Sequence, residues 1–196
     1  PSAVSLASGA DTVRLALGDM RFDATIRAQA VPSRQEVAYL TAEFTNPGEE
    51  MILPSVATQL FRDGDYVGQV QGGMIPAGGK ATLGFGPIEG LRLTRLVDRN
   101  QGDRGVISRS SERSEKVRIE VENLSGRAWP LRVIDQVPYS EQEDLTITWN
   151  ASPRPDVVDL DDAKGILAWD SEIAAGETAT IRLNYSLEWP DGKVLR

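Results

Sequence analysis

The chain has no cysteine and no histidine among its 196 residues. Without cysteine there is no disulfide, and without either residue type the usual ligand sets for zinc or copper are missing. The same two absences remove every catalytic arrangement that pairs a nucleophile with an imidazole. A chain without cysteine suits any redox compartment. No apolar run approaches the roughly 20 residues that a membrane helix needs, and no leader peptide is visible. The sequence begins at Pro1 without an initiator methionine, which is expected of an excised or processed product. Positive charge is also scarce: the net charge of -8 repels phosphate backbones and anionic lipid at long range, so nucleic acid and membrane insertion are not expected.

What remains is enough for a folded protein. Hydrophobic residues make up 40% of the chain, and its 18 glycines bring the apolar total into the ordinary globular range. The length allows one large domain or two small ones.

Alternation with period two runs through the sequence, and no window shows a sustained helical period. Val13, Leu15 and Leu17, a turn at Gly18-Asp19, then Met20, Phe22 and Ile26 suggest a hairpin. Ala38, Leu40, Ala42 and Phe44 share one face of a strand that ends at the turn Asn46-Pro47-Gly48. Asp63-Gly64, between Leu60-Phe61-Arg62 and Asp65-Tyr66-Val67, predicts a tight hairpin turn with two positive φ angles. Further strands are expected at 116–123, 129–137, 144–150, 165–170 and 178–189. Short strands separated by Gly, Pro, Asn and Asp predict an all-β sandwich.

A weak internal repeat points to two immunoglobulin-like sandwiches in tandem. Residues 74–83 align with residues 172–181, each a turn followed by a strand. Upstream, Phe44-Thr45-Asn46-Pro47-Gly48 aligns with Val121-Glu122-Asn123-Leu124-Ser125-Gly126. The boundary is expected near Ser114, with one subdomain over 1–114 and the other over 115–196. Any two β-domains can share such turns, so the repeat has that plainer explanation too.

Between Leu91 and Arg118 eight basic residues face four acidic ones, a basic island in an acidic chain. Its centre, at 92–114, has the glycines and serines of a loop or long hairpin tip joining the halves. Arg99, Arg104, Arg109 and Arg113 are candidate contacts for an acidic polysaccharide, but the island lacks interleaved aromatics and tight Lys/Arg runs, and an ordinary solvated hairpin is the better reading.

Four tryptophans, Trp129, Trp149, Trp169 and Trp189, fall at equal spacing. Each shares parity with its strand's apolar residues, so burial in the core is expected rather than a platform for sugar or peptide. Asp156, Asp159, Asp161 and Asp162 could offer oxygen to calcium, but without the spacing of a known loop, and a solvated acidic turn is the better reading. Gly84, Gly86 and Gly90 resemble a phosphate loop in composition alone. No pair of carboxylates is singled out for acid–base work. Neither an enzyme nor a cofactor is expected.

Asp135 is the most pointed residue. It shares parity with Leu131, Val133 and Val137, which turns its carboxylate toward the apolar side of the strand. Such a group needs donors, either backbone N–H groups of a loop or an arginine, and would then pin the corner at Val137-Pro138. A bulge that turned Asp135 to solvent would make Asp135 and Gln136 a candidate interaction site instead.

Several stretches carry a family likeness: residues 61–68 (Phe61-Arg62-Asp63-Gly64-Asp65-Tyr66-Val67-Gly68), Leu83-Gly84-Phe85-Gly86, Val121-Glu122-Asn123, residues 132–140, Gly165-Ile166-Leu167-Ala168-Trp169 and residues 185–190. From about Val37 to Val194 the chain resembles the C-terminal domain of the bacterial mucoidy-inhibitor A family. Asp135-Gln136 is the most specific element of that likeness, and Pro87-Ile88-Glu89 departs from it. The resemblance implies a larger protein with an N-terminal β-domain and a coiled coil ahead of this region. The family has no assigned activity, and its name points to an exopolysaccharide phenotype and not to a mechanism; with the chemistries that the sequence lacks, the chain is expected to be a non-catalytic structural or protein-interaction module, associated with the cell envelope, that binds a protein partner or itself. The resemblance transfers no catalytic residue.

Overall fold

A computed structural model describes Gly9 and residues 18–103 and 110–190. Strands make up most of the described residues, as the alternation predicts, with a single three-residue 3-10 turn at Leu160–Asp162 among them. In order the strands are β1 (Ala24–Val31), β2 (Gln35–Thr45), β3 (Ser55–Arg62), β4 (Asp65–Gly72), β5 (Lys80–Pro87) and β6 (Leu91–Asp103). They continue as β7 (Ser110–Asn123), β8 (Trp129–Gln136), β9 (Thr146–Ser152), β10 (Val157–Val158), β11 (Ile166–Ile173) and β12 (Thr178–Pro190). The expected start of the N-terminal hairpin, Val13 to Leu17, lies outside the described residues.

Ten of these strands form two sheets. One has six strands in the order β10-β11-β8-β1-β2-β5, and the other has four in the order β6-β7-β12-β9. Their facing sides supply a single hydrophobic cluster. Ala28, Ala30, Ala38, Leu131, Val133 and Leu167 come from the larger sheet, and Leu93, Val117, Ile119, Ile181 and Leu183 from the smaller. Burial alternates along β8, with Trp129, Leu131, Val133 and Asp135 inward, because successive side chains leave a strand on opposite faces.

The strand pairing corrects the expected division at Ser114. Ser114 sits inside β7, opposite Ser186 of β12 on one side and Asn100 of β6 on the other. β1 runs parallel to β8, with Ala28 opposite Leu131 and Ala30 opposite Val133. Both sheets therefore draw strands from either side of the supposed boundary. The reason is burial: the apolar faces of β1 and β2 share one core with β6 and β7. The basic stretch is the long hairpin β6–β7, and its tip at 104–109 lies outside the described residues.

The repeat seen in the sequence has a local counterpart. Asn46 directly follows β2 and Asn123 ends β7, and each buried side chain holds a remote turn, at Ile75-Pro76 and Ile173-Ala174 respectively.

β3 and β4 form a separate hairpin. Asp63 (φ 53) and Gly64 (φ 95) take the two positive φ angles that its tight turn demands.

Candidate functional site

At one end of the smaller sheet a single cross-strand row carries Arg99 on β6, Glu115 on β7, Tyr185 on β12 and Trp149 on β9. The row continues the inward face, two residues beyond Val97, Val117, Leu183 and Ala151. Glu115 is buried there and would be costly without donors. It has three: the Tyr185 hydroxyl donates to Oε2 at 2.5 Å, while Arg99 Nε at 3.1 Å and Arg113 Nη2 at 2.5 Å donate to Oε1. Burial pushes the Glu115 carboxyl upward, but the hydrogen bonds from Tyr185 and Arg113 and the two guanidinium charges outweigh it, leaving Glu115 below its ordinary value. Tyr185 moves the other way. Burial, reinforced by the bond to the Glu115 carboxylate, pushes its hydroxyl up to about 12.

The facing sheet contributes Asp135, which is 0% exposed. Arg95, on the inward face of β6 between Leu93 and Val97, reaches across the sandwich to it. Its Nε donates to Oδ2 at 2.7 Å and its Nη2 to Oδ1 at 3.2 Å. The Gln136 amide adds a bond to Oδ1 at 2.7 Å. The two-pronged arginine contact suits a carboxylate cut off from water and ties the two layers together. Below it the Val137 amide donates to the Gly165 carbonyl at 2.9 Å. A Cβ at Gly165 would lie 2.5 Å from the Val137 carbonyl oxygen, at a φ of +78, so glycine is needed at this corner.

Beyond the corner the sandwich is open. Among the described residues β9 ends the smaller sheet, and the facing edge is the two-residue β10. Between them lies a groove of about 530 Å³, walled by Tyr139, Leu145, Ile147, Trp149, Val158 and Leu167, with Asp159 and Lys164 at its polar side. Trp149 faces inward as its parity predicts, yet it is 38% exposed, because it lies on the last strand of its sheet and lines the groove there. The expectation that all four tryptophans are buried is corrected on this point. Trp129 and Trp169 are buried, with ring N–H groups bonded to Ser125 Oγ and to the Pro153 carbonyl. Trp189 is partly buried.

The residues singled out from the sequence divide unevenly. Asp135 is internal, whereas Gln136 is exposed. Arg99 and Arg113 are brought together on Glu115. Arg104 and Arg109 lie outside the described residues. Elsewhere on the basic hairpin Arg92 pairs with Glu122 and Arg118 with Glu120. Sequence reasoning missed Arg95, Glu115 and Tyr185 as a cluster, although Arg95 and Glu115 carried the signal that exposed Asp135: a charge in phase with apolar neighbours.

Two of the aspartates before Gly165 are engaged with protein groups. Asp156 accepts from the Asp170 amide, and Asp159 accepts from the Gly165 amide and from Lys164. No set of three or more potential ligands gathers into a metal site among the described residues. Gly84 and Gly86 lie within β5, and a strand rather than a helix follows Gly90.

Residues 2–191 match the family described as a domain of unknown function, DUF4139. The chain belongs to that family. A protein of Caenorhabditis elegans is 22% identical over 199 residues, an alignment that takes in 95% of this chain and 35% of the worm protein. The chain thus spans about a third of the length of that curated relative. No solved structure matches.

Proposed function

We propose that this DUF4139 chain is a non-catalytic module through which a larger protein binds a protein partner, and that the partner docks at the open side between β9 and β10. The observation that carries the reading is Trp149. A large aromatic side chain turned toward the interior, left 38% exposed in an apolar groove beside a free strand edge, is the kind of residue that dominates protein interfaces. The polar cluster beside it supports a scaffold role, since the carboxylates of Glu115 and Asp135 already hold their donors within the fold. The likeness to the mucoidy-inhibitor A family extends the proposal to a bacterial protein with a coiled coil ahead of this region and a role at the cell envelope.

The test is photo-cross-linking in the native cell. A benzophenone side chain at position 149 of the full-length protein should capture a defined protein, and the same probe at Arg118, on the outer face of β7, should not. Equal capture from both positions, or none from 149, would sink the reading.

The rival reading, a carbohydrate-binding module that holds an acidic polysaccharide on the basic hairpin, draws less support, because Arg92, Arg99, Arg113 and Arg118 each have a carboxylate partner. Replacing Arg99, Arg104, Arg109 and Arg113 should abolish salt-sensitive retention on an acidic polysaccharide column only if that rival holds.

A further inference from the structure

The groove and the strand beside it have a composition that narrows the partner. β9 reads Thr146-Ile147-Thr148-Trp149-Asn150-Ala151-Ser152, a strand-forming run without a charged residue or a proline. It pairs with β12 along one edge and, among the described residues, ends its sheet on the other. Exposed edges of this length are commonly protected by lysine, proline or a bulge, and this one has none of them within its span. A free edge of main-chain donors and acceptors is a template for one more strand. Beside it, alternate side chains of that added strand would find the apolar groove formed by Ile147, Trp149 and Val158.

Charge decides between two such occupants. Glu141 and Glu143 stand exposed in the loop that rims the groove, between Ser140 and Leu145. On the opposite wall Asp159 is bonded to Lys164, and exposed Asp162 follows Asp159 three residues on in the same turn. The rim is therefore anionic, on a chain of net charge -8. A second copy of this chain would bring like charge to the same edge, whereas a cationic segment meets its complement.

We infer that the open side accepts an extended polypeptide segment, apolar at alternate positions and flanked by lysine or arginine, which adds to the free edge of β9 as an extra strand and places a large side chain against Trp149. This rests on the reading of the chain as a protein-interaction module and specifies the partner's chemistry. The backbone ladder would supply affinity for any strand. The groove and the anionic rim would select among strands.

The experiment is fluorescence anisotropy with the 196-residue chain and a short labelled peptide in which lysine alternates with valine about a central phenylalanine. Two controls separate the contributions: the same peptide with glutamate in place of lysine, and the lysine peptide N-methylated at alternate backbone nitrogens. The lysine peptide should bind, with affinity falling as salt rises, and each control should bind about tenfold more weakly or worse. Trp149→Ala should weaken the lysine peptide by about tenfold or more, as loss of a central aromatic contact does. Glu141→Gln with Glu143→Gln, which leaves the groove walls intact, should weaken the lysine peptide and flatten its salt dependence. Equal binding of lysine and glutamate peptides, indifference to N-methylation, or a dimer in sedimentation that buries β9 would each overturn the inference. If the peptides fail while position 149 still cross-links a protein in the cell, strand addition falls and the interaction reading stands. If both fail, both are wrong.

Discussion

Asn46 and Asn123 perform the same task at the ends of two different strands. The Asn46 Nδ2 group donates to the carbonyls of Glu50, Ile75 and Pro76 at 2.9, 3.3 and 3.1 Å. Asn123 Nδ2 donates to those of Arg127, Ile173 and Ala174 at 2.8, 3.1 and 2.9 Å. Each Oδ1 accepts an amide two residues on, from Gly48 and Ser125, and each main-chain carbonyl accepts the amide of a later glycine, Gly78 and Gly176. The correspondence follows the aligned sequence segments residue by residue, so the weak repeat marks a repeated device for locking a turn onto a strand end.

Removing either amide group strands buried carbonyls. Asn46→Ala and Asn123→Ala should each lower stability by about 2–3 kcal/mol in urea titrations. Asn123→Asp should cost more than Asn123→Ala above the carboxyl's titration range, because a carboxylate would face three carbonyl oxygens. A midpoint shift equivalent to less than about 0.5 kcal/mol would mean that the turns hold without the asparagines.

The Arg95–Asp135 pair makes a similar demand across the two layers. Asp135→Ala leaves a guanidinium with little access to water, and a loss of about 3–5 kcal/mol is expected. Arg95→Met combined with Asp135→Ala should recover part of that loss, because no charge is then left unpaired. If the double variant is as unstable as the sum of the two single ones, the pair is not coupled.

How much of this was legible in the sequence depends on which physical rule each feature obeys. The Asp63-Gly64 turn, the strands around Trp129 and Thr178, and the inward direction of Asp135 follow from local backbone geometry and were readable. The parallel pairing of β1 with β8 was not, since it joins segments about a hundred residues apart through a shared core, and neither strand encodes its neighbour. Ser114 looked like a junction because charge and serine interrupt the apolar pattern there, whereas the strand simply continues between two partners. Trp149 shows the limit of parity. Period two gives the face on which a side chain leaves the sheet, but not whether anything lies opposite.

The Glu115–Tyr185 contact predicts how stability responds to pH at both extremes. Tyr185 in the folded chain holds its proton to about 12, above the ordinary value of 10.0. Its contribution is therefore complete below pH 10 and is lost as pH rises from there toward 12. Glu115 lies below its ordinary 4.5, so its contribution is present above that pH and is lost as pH falls through the folded value. A near-ultraviolet titration of the native chain should show one late-ionising tyrosine that Tyr185→Phe removes. An unchanged titration in that variant would place the late group elsewhere.

Acrylamide quenching should divide the indoles. Trp129 and Trp169 are expected to be protected, and the readily quenched fraction should disappear in Trp149→Phe. A variant that keeps that fraction would show that the exposed indole is not the one at the groove.

The central claim is that a partner occupies the β9 edge, and hydrogen–deuterium exchange measures that edge amide by amide. The chain alone should be compared with its complex with whichever protein cross-links to position 149. The account predicts that exchange slows over Thr146–Ser152 on binding, while Val117 to Val121, already inside the sheet between β6 and β12, stays as it was. New protection confined to another surface, such as the β3–β4 hairpin, with the β9 amides unchanged, would contradict it.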